Sequence, residues 1–227
     1  MRRPPEALAI GALGAAVAGL VGWSIGLPVV AAAVGAANGL VSGWFGIYEL
    51  RRVRGWLALL LDSSWGLFGT ALGVLLHIAN LLVPTAGYEP LLSVRQNRHV
   101  YNRGVSVRGG FALSMGNVVS NAGGKVGLRG ESAAVVRRRR LVTAHEDLHI
   151  WQNRWFGPLF QVIYVFWLIV GAVAASLAWP VVRGSYWKAV ETVAYYDNPF
   201  EFWAYCHDDY WPPRGVHPRL CWRRRVV

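Results

Sequence analysis

Four apolar stretches constrain this chain more than any other feature: residues 7–25, 27–48, 55–83 and 158–182. A helix rises 1.5 Å per residue, so about 20 apolar residues cross the hydrocarbon of a bilayer, and each stretch is of that length or longer. Charged residues make up only 15% of the 227, against roughly a quarter in soluble domains. Mean hydropathy is +0.32. The sequence therefore predicts a mainly α, multi-pass protein of the cell membrane, with the lipid bilayer as its first partner.

The stretch after Arg2-Arg3 has the basic start and small residues of a signal peptide. Its length favours a membrane helix, because the next apolar run follows almost at once, broken only by Gly26-Leu27-Pro28. Two such helices form a hairpin. Gly35, Gly39 and Gly43 recur every four residues and share one helix face, and Gly22 and Gly26 repeat the interval. Small residues at this spacing let helix backbones approach closely in lipid, as in a glycine zipper. The predicted role is a packing surface, and such faces also allow a helix-mediated oligomer or a partner subunit.

The net charge of +11 comes from arginine clusters at Arg2-Arg3, Arg51-Arg52-Arg54, Arg137 to Arg140 and Arg223 to Arg225. They flank apolar runs, as anionic headgroups and the positive-inside rule require. No aromatics interleave with them as in a nucleic-acid motif, so nucleic acid is not an expected partner. Within 55–83, Asp62 and His77 lie near opposite ends, and both are expected to reach the interface. Transport has no other support than these two residues. Cys206 and Cys221 lie fifteen apart without a C-x-x-C, leaving a disulfide and two idle thiols both open.

The expected organisation is a transmembrane region at 1–84, a small sheet and a helix at 85–157, a membrane helix or re-entrant hairpin at 158–182, and an interfacial tail at 183–227. "HVYNRGVSVRGG" and "GFALSMGNVVS" read as strands ended by glycine turns. Trp and Tyr cluster from Trp151 to Trp167 and from Tyr195 to Trp211, which places these segments near headgroups.

Chemistry concentrates in His145-Glu146-Asp147-Leu148-His149, which fits H-E-x-x-H. With six His and seven Glu in the chain, chance would supply about 0.005 such matches. On a helix over 138–156, His145 and His149 share a face and can bind one metal, while Glu146 is placed to take a proton from water held by that metal. Thr143 to Glu146 also fits a capping box, in which Glu146 would bond the helix start. Val135, Val136, Leu141 and Val142 argue that the helix begins earlier. A catalytic zinc takes three protein ligands and keeps one position open. Glu201 is the chosen third ligand, since Asn198 caps and Pro199 opens a predicted helix there. Asp197, His207, Asp208, Asp209 and Glu191 are its rivals.

"ALSMGNVVS", "HEDLHIWQNRWFGPLF" and "NPFEFWAY" together resemble a group of bacterial membrane-associated zincin-like proteins. The pattern is also similar to the gluzincin metallopeptidases, whose third ligand is a downstream Glu. The matching residues are His145, Glu146, His149, Gln152, Gly157, Pro158, Leu159, Glu201 and Ala204, within roughly residues 110–205. Leu148 stands where the group often has glycine, placing a larger side chain beside the metal. The resemblance implies a small α+β zincin-like domain at the membrane interface, a Zn2+ cofactor and a peptidase acting on a peptide or membrane protein. It also implies that residues 111–119 form a strand pairing with extended substrate. Tyr195, Tyr196, Tyr205, His207 and Arg214 are candidate donors to the oxyanion. The alternative function is a noncatalytic membrane scaffold, holding a structural metal or none.

One conflict stands in this reading. A single span through 158–182 would put Glu201 and the histidines on opposite sides of the bilayer. The expected resolution is a re-entrant loop or broken hairpin turning near Gly171. A site partly within membrane depth, or a ligand other than Glu201, would also resolve it. The side of the membrane stays open; the basic residues favour the cytoplasm.

Overall fold

The computed structural model describes residues 3–222. Arg2 and the cluster Arg223 to Arg225 lie outside the described residues. The chain divides into two compact units, Met1–Pro158 and Leu159–Val227.

The first unit opens with a helical hairpin of α1 (Pro4–Ser24) and α2 (Pro28–Phe45). Proline stands at the start of each helix, where its missing N–H costs nothing. Gly35, Gly39 and Gly43 do share a face, and they spend it on α1: a methyl group on Gly39 would lie 2.4 Å from the Ile10 carbonyl oxygen, and one on Gly35 would lie 2.2 Å from that of Gly14. Gly22 packs on Ala31 in the same seam, whereas Gly26 lies in the turn and not on the helix face.

The third apolar stretch is not one straight helix. It breaks at residues 63–66 into α3 (Val53–Asp62) and α4 (Leu67–Leu81), bent by 87°. Among the described residues, three helices are long and apolar enough to cross a membrane: α1, α2 and Pro158–Val182; the bent pair would make a fourth only if counted as one span.

A three-stranded sheet follows, formed by β1 (His99–Val100), β2 (Leu113–Met115) and β3 (Val118–Ser120) in the order β1-β3-β2. β3 runs parallel to β1 and antiparallel to β2, with Ser114 opposite Val119. The single strand expected over 111–119 is therefore a hairpin. Gly116 turns it with φ +55°, and a Cβ there would meet the Gly69 carbonyl of α4 at 2.3 Å, so only glycine fits. β2 is left at the edge of the sheet.

From Ser132 the chain is helical to Phe156: α5 (Ala133–Arg140), a π-helical turn (Leu141–Glu146) and α6 (Asp147–Phe156). Val142 and Ile150 of this segment join Val100, Val119, Ala122 and Leu128 in one buried cluster, which fastens helix to sheet. Burying a side chain such as Ile150 contributes roughly 1.5–3 kcal/mol.

The second unit is built on α7 (Pro158–Val182), a continuous helix of 25 residues. It does not turn at Gly171. That glycine instead admits the backbone of Ala194, which a Cβ would meet at 2.7 Å. The reversal comes after the helix, at Arg183 and Gly184, both with positive φ. The chain then returns along α7 as α8 (Tyr186–Val190), a second π-helical turn (Glu191–Tyr196) and α9 (Pro199–His207). Contacts mark the return step by step: Tyr186 on Ser176, Val193 on Trp167, Phe200 on Phe160.

Candidate metal centre

The histidine helix starts well before the H-E-x-x-H residues. Ser132 caps it, accepting from the Val135 amide at 3.4 Å. Thr143 does not cap anything, since its hydroxyl donates back to the Arg139 carbonyl at 3.0 Å. The capping-box reading fails for the same reason: residues 143–146 are already inside the helix.

His145 and His149 are both buried, and their Nε2 atoms stand 3.1 Å apart. His149 Nδ1 lies 2.8 Å from Gln152 Oε1. An amide oxygen can only accept, so this contact places the proton of a neutral His149 on Nδ1 and leaves the Nε2 lone pair facing His145. Gln152 is wholly buried.

Glu146 is buried beside them. Its Oε2 accepts from Ser114 Oγ at 2.7 Å, so the carboxylate sits between the histidine helix and edge strand β2. Asp147 faces away, toward Arg98 and Arg54.

Glu201 belongs to the second unit, on α9. Asn198 caps that helix as expected, its Oδ1 accepting from the Phe200 amide at 3.1 Å, and Pro199 opens it. Glu201 is buried and its Oε1 accepts from Tyr164 Oη at 2.7 Å. Tyr164 lies in the second turn of α7, so the return of the chain brings Glu201 back to the end of α7 that follows directly on the histidine helix. Two imidazoles and a carboxylate, from His145, His149 and Glu201, make a donor group that could hold a metal ion.

The rivals fare differently. His207 and Asp209 are exposed. Asp197 is buried and accepts from the Trp222 amide at 3.0 Å. Burial pushes its carboxyl up to about 6. Cys206 and Cys221 are not joined by a disulfide.

Asp62 and His77, expected to extend toward the interface, are instead both buried inside the first unit. Asp62 forms a two-pronged ion pair with Arg154 of the histidine helix, both contacts at 2.8 Å. Tyr48 Oη donates to the same carboxylate at 2.8 Å and accepts from Asn38. Burial, and then the Asp62 charge, drives the Tyr48 hydroxyl well above its ordinary range. His77 meets Tyr101, and His99 bridges Ser42 and Tyr88. Burial, and next His77, holds the His99 imidazole well below its usual range. Asp62, His77, Asn38 and Ser42 of the apolar stretches thus find polar partners within the protein.

No family model, curated protein or solved structure matches this chain.

Proposed function

We propose that the protein is a multi-pass cell-membrane zinc metallopeptidase, with His145, His149 and Glu201 as the metal ligands and Glu146 as the general base. The observation that carries the reading is the pair of imidazoles. Two nitrogens bound to one tetrahedral zinc at 2.0–2.1 Å stand about 3.3 Å apart, and the two Nε2 atoms stand at 3.1 Å. The Gln152 contact supports it, since a histidine ligand commonly donates its other ring N–H to an acceptor that fixes its orientation.

A bound zinc ion would polarise a peptide carbonyl and make water a nucleophile at neutral pH. The chain's own residues do the rest. Ser114 holds Glu146 by Oε2, leaving Oε1 to take the water proton and pass it to the departing amine. Edge strand β2, which carries Ser114, offers its backbone to an extended peptide, a mode that reads main chain rather than sequence. Glu201 is held about 9 Å along α7 from its start, six residues at 1.5 Å each. With α7 as a span, that is just below the headgroups, so the fitting substrate is a juxtamembrane segment of a membrane protein.

The test is metal content of the purified protein, wild type beside His149→Ala and Glu201→Ala. About one zinc per chain, lost in both variants, is expected. Zinc retained by Glu201→Ala removes Glu201 from the ligand set. A zinc-supplied wild type without metal removes the centre and leaves a noncatalytic scaffold. Glu146→Gln should keep the zinc and abolish hydrolysis.

A further inference from the structure

We infer that Tyr164 is a positioning residue for the metal, its hydroxyl restricting Glu201 to coordination through one oxygen. The inference rests on the zinc reading above and adds to it a residue that does not touch the metal.

Tyr164 is tied to α9 twice. Its Oη donates to Glu201 Oε1 at 2.7 Å, and its carbonyl accepts from Asn198 Nδ2 at 3.2 Å. Asn198 is the residue that caps α9. One tyrosine therefore anchors both the start of the helix that presents the carboxylate and the carboxylate itself. The ring has little freedom to leave. It lies parallel to Phe200, 7° between planes at 6.5 Å, and packs on Phe160 at 5.9 Å, while Phe160 and Phe200 meet at 4.7 Å.

A carboxylate can bind a metal through one oxygen or chelate it through both. Chelation by Glu201 would add a ligand atom and take the open position that a catalytic zinc keeps for water and substrate. A hydroxyl bonded to Oε1 opposes chelation, because chelation requires both oxygens to turn toward the metal. The bond is part-buried and made to a carboxylate, and a charged acceptor makes it stronger than a neutral pair.

The experiment uses the full chain in detergent micelles, wild type beside Tyr164→Phe, loaded with Co2+ as a spectroscopic stand-in for zinc. Wild type should show the intense visible absorption of four-coordinate cobalt. Tyr164→Phe keeps the ring stack and should show the weaker bands of five-coordinate cobalt. Its zinc affinity, measured by chelator competition, should fall about 10–100-fold. Metal-free Tyr164→Phe should unfold in a single cooperative transition, so that the two proteins are compared in their folded states. Phe160→Leu disturbs the same ring cluster but spares the hydroxyl, and should leave the cobalt spectrum unchanged. Identical spectra and affinities for wild type and Tyr164→Phe would overturn the inference while leaving the zinc centre standing. A spectral change reproduced by Phe160→Leu would assign the effect to packing and also overturn it. A wild type that binds neither metal would remove the centre itself, and this inference with it.

Discussion

Substituting Asp62 by alanine probes how the histidine helix is held. The Asp62 carboxylate takes Arg154 Nε and Nη2, the Tyr48 hydroxyl and, at 3.4 Å, Asn117 Nδ2, and neither Asp62 nor Arg154 has any exposed surface. Asp62→Ala leaves the guanidinium with the Asn97 carbonyl at 2.7 Å and the face of Trp151 at 4.7 Å. Removing one partner of a buried pair costs about 3–5 kcal/mol. Arg154→Met strands a carboxylate instead. That group keeps its Tyr48 and Asn117 donors and can take up a proton, which a guanidinium cannot, so the cost should be smaller. The double variant removes both charges and should be more stable than Asp62→Ala alone. At about 2–4 °C per kcal/mol for a chain of this size, Asp62→Ala should lower the unfolding midpoint by roughly 6–20 °C. Thermal unfolding in detergent, followed by tryptophan fluorescence, measures all three variants. Strictly additive losses, or a loss below about 1 kcal/mol for Asp62→Ala, would refute the reasoning.

Three further outcomes follow from other contacts. Gln152→Leu removes the acceptor at His149 Nδ1 and should weaken zinc binding about 10–100-fold in chelator competition; unchanged affinity would deny Gln152 its orienting role. Asp197 has its folded carboxyl raised to about 6, so its contribution to stability is full below about 4 and lost as pH rises through about 6. Asp197→Asn keeps an acceptor for the Trp222 amide and should flatten that pH dependence, with a gain above pH 7 of about 1–2 kcal/mol once screening is allowed for; parallel stability curves for the two proteins would contradict this. Gly39→Val places a side chain against the Ile10 carbonyl and should cost about 1–3 kcal/mol; an unfolding midpoint equal to that of wild type would mean the two helices separate without penalty.

Local patterns were legible in the sequence, and long-range pairings were not. The hairpin of α1 and α2 could be read from Pro28 and the four-residue glycine interval because both act within a turn or two of helix. Asn198-Pro199 announced α9 for the same reason. His145 and His149 shared a face by helical geometry alone. Asp62 looked like an interfacial residue because its partner, Arg154, lies 92 residues away. The break at 63–66 hid inside an apolar run, where composition does not distinguish a bent helix from a straight one. Ser114 stood in a quoted stretch, yet nothing local pointed it at Glu146. Tyr164 was one aromatic among many in an interfacial cluster, and only the return of the chain along α7 gave it a partner.

The seam between α1 and α2 has a consequence for how the protein behaves at low abundance. Small-residue seams of this kind also join separate chains, and then the association weakens as lipid dilutes the copies. Here the two faces are tethered by Ile25, Gly26 and Leu27. A tether that short holds the local concentration of each face for the other high and constant. In a membrane the pairing of these helices would therefore be indifferent to expression level and to lipid-to-protein ratio, and a single copy would keep it intact.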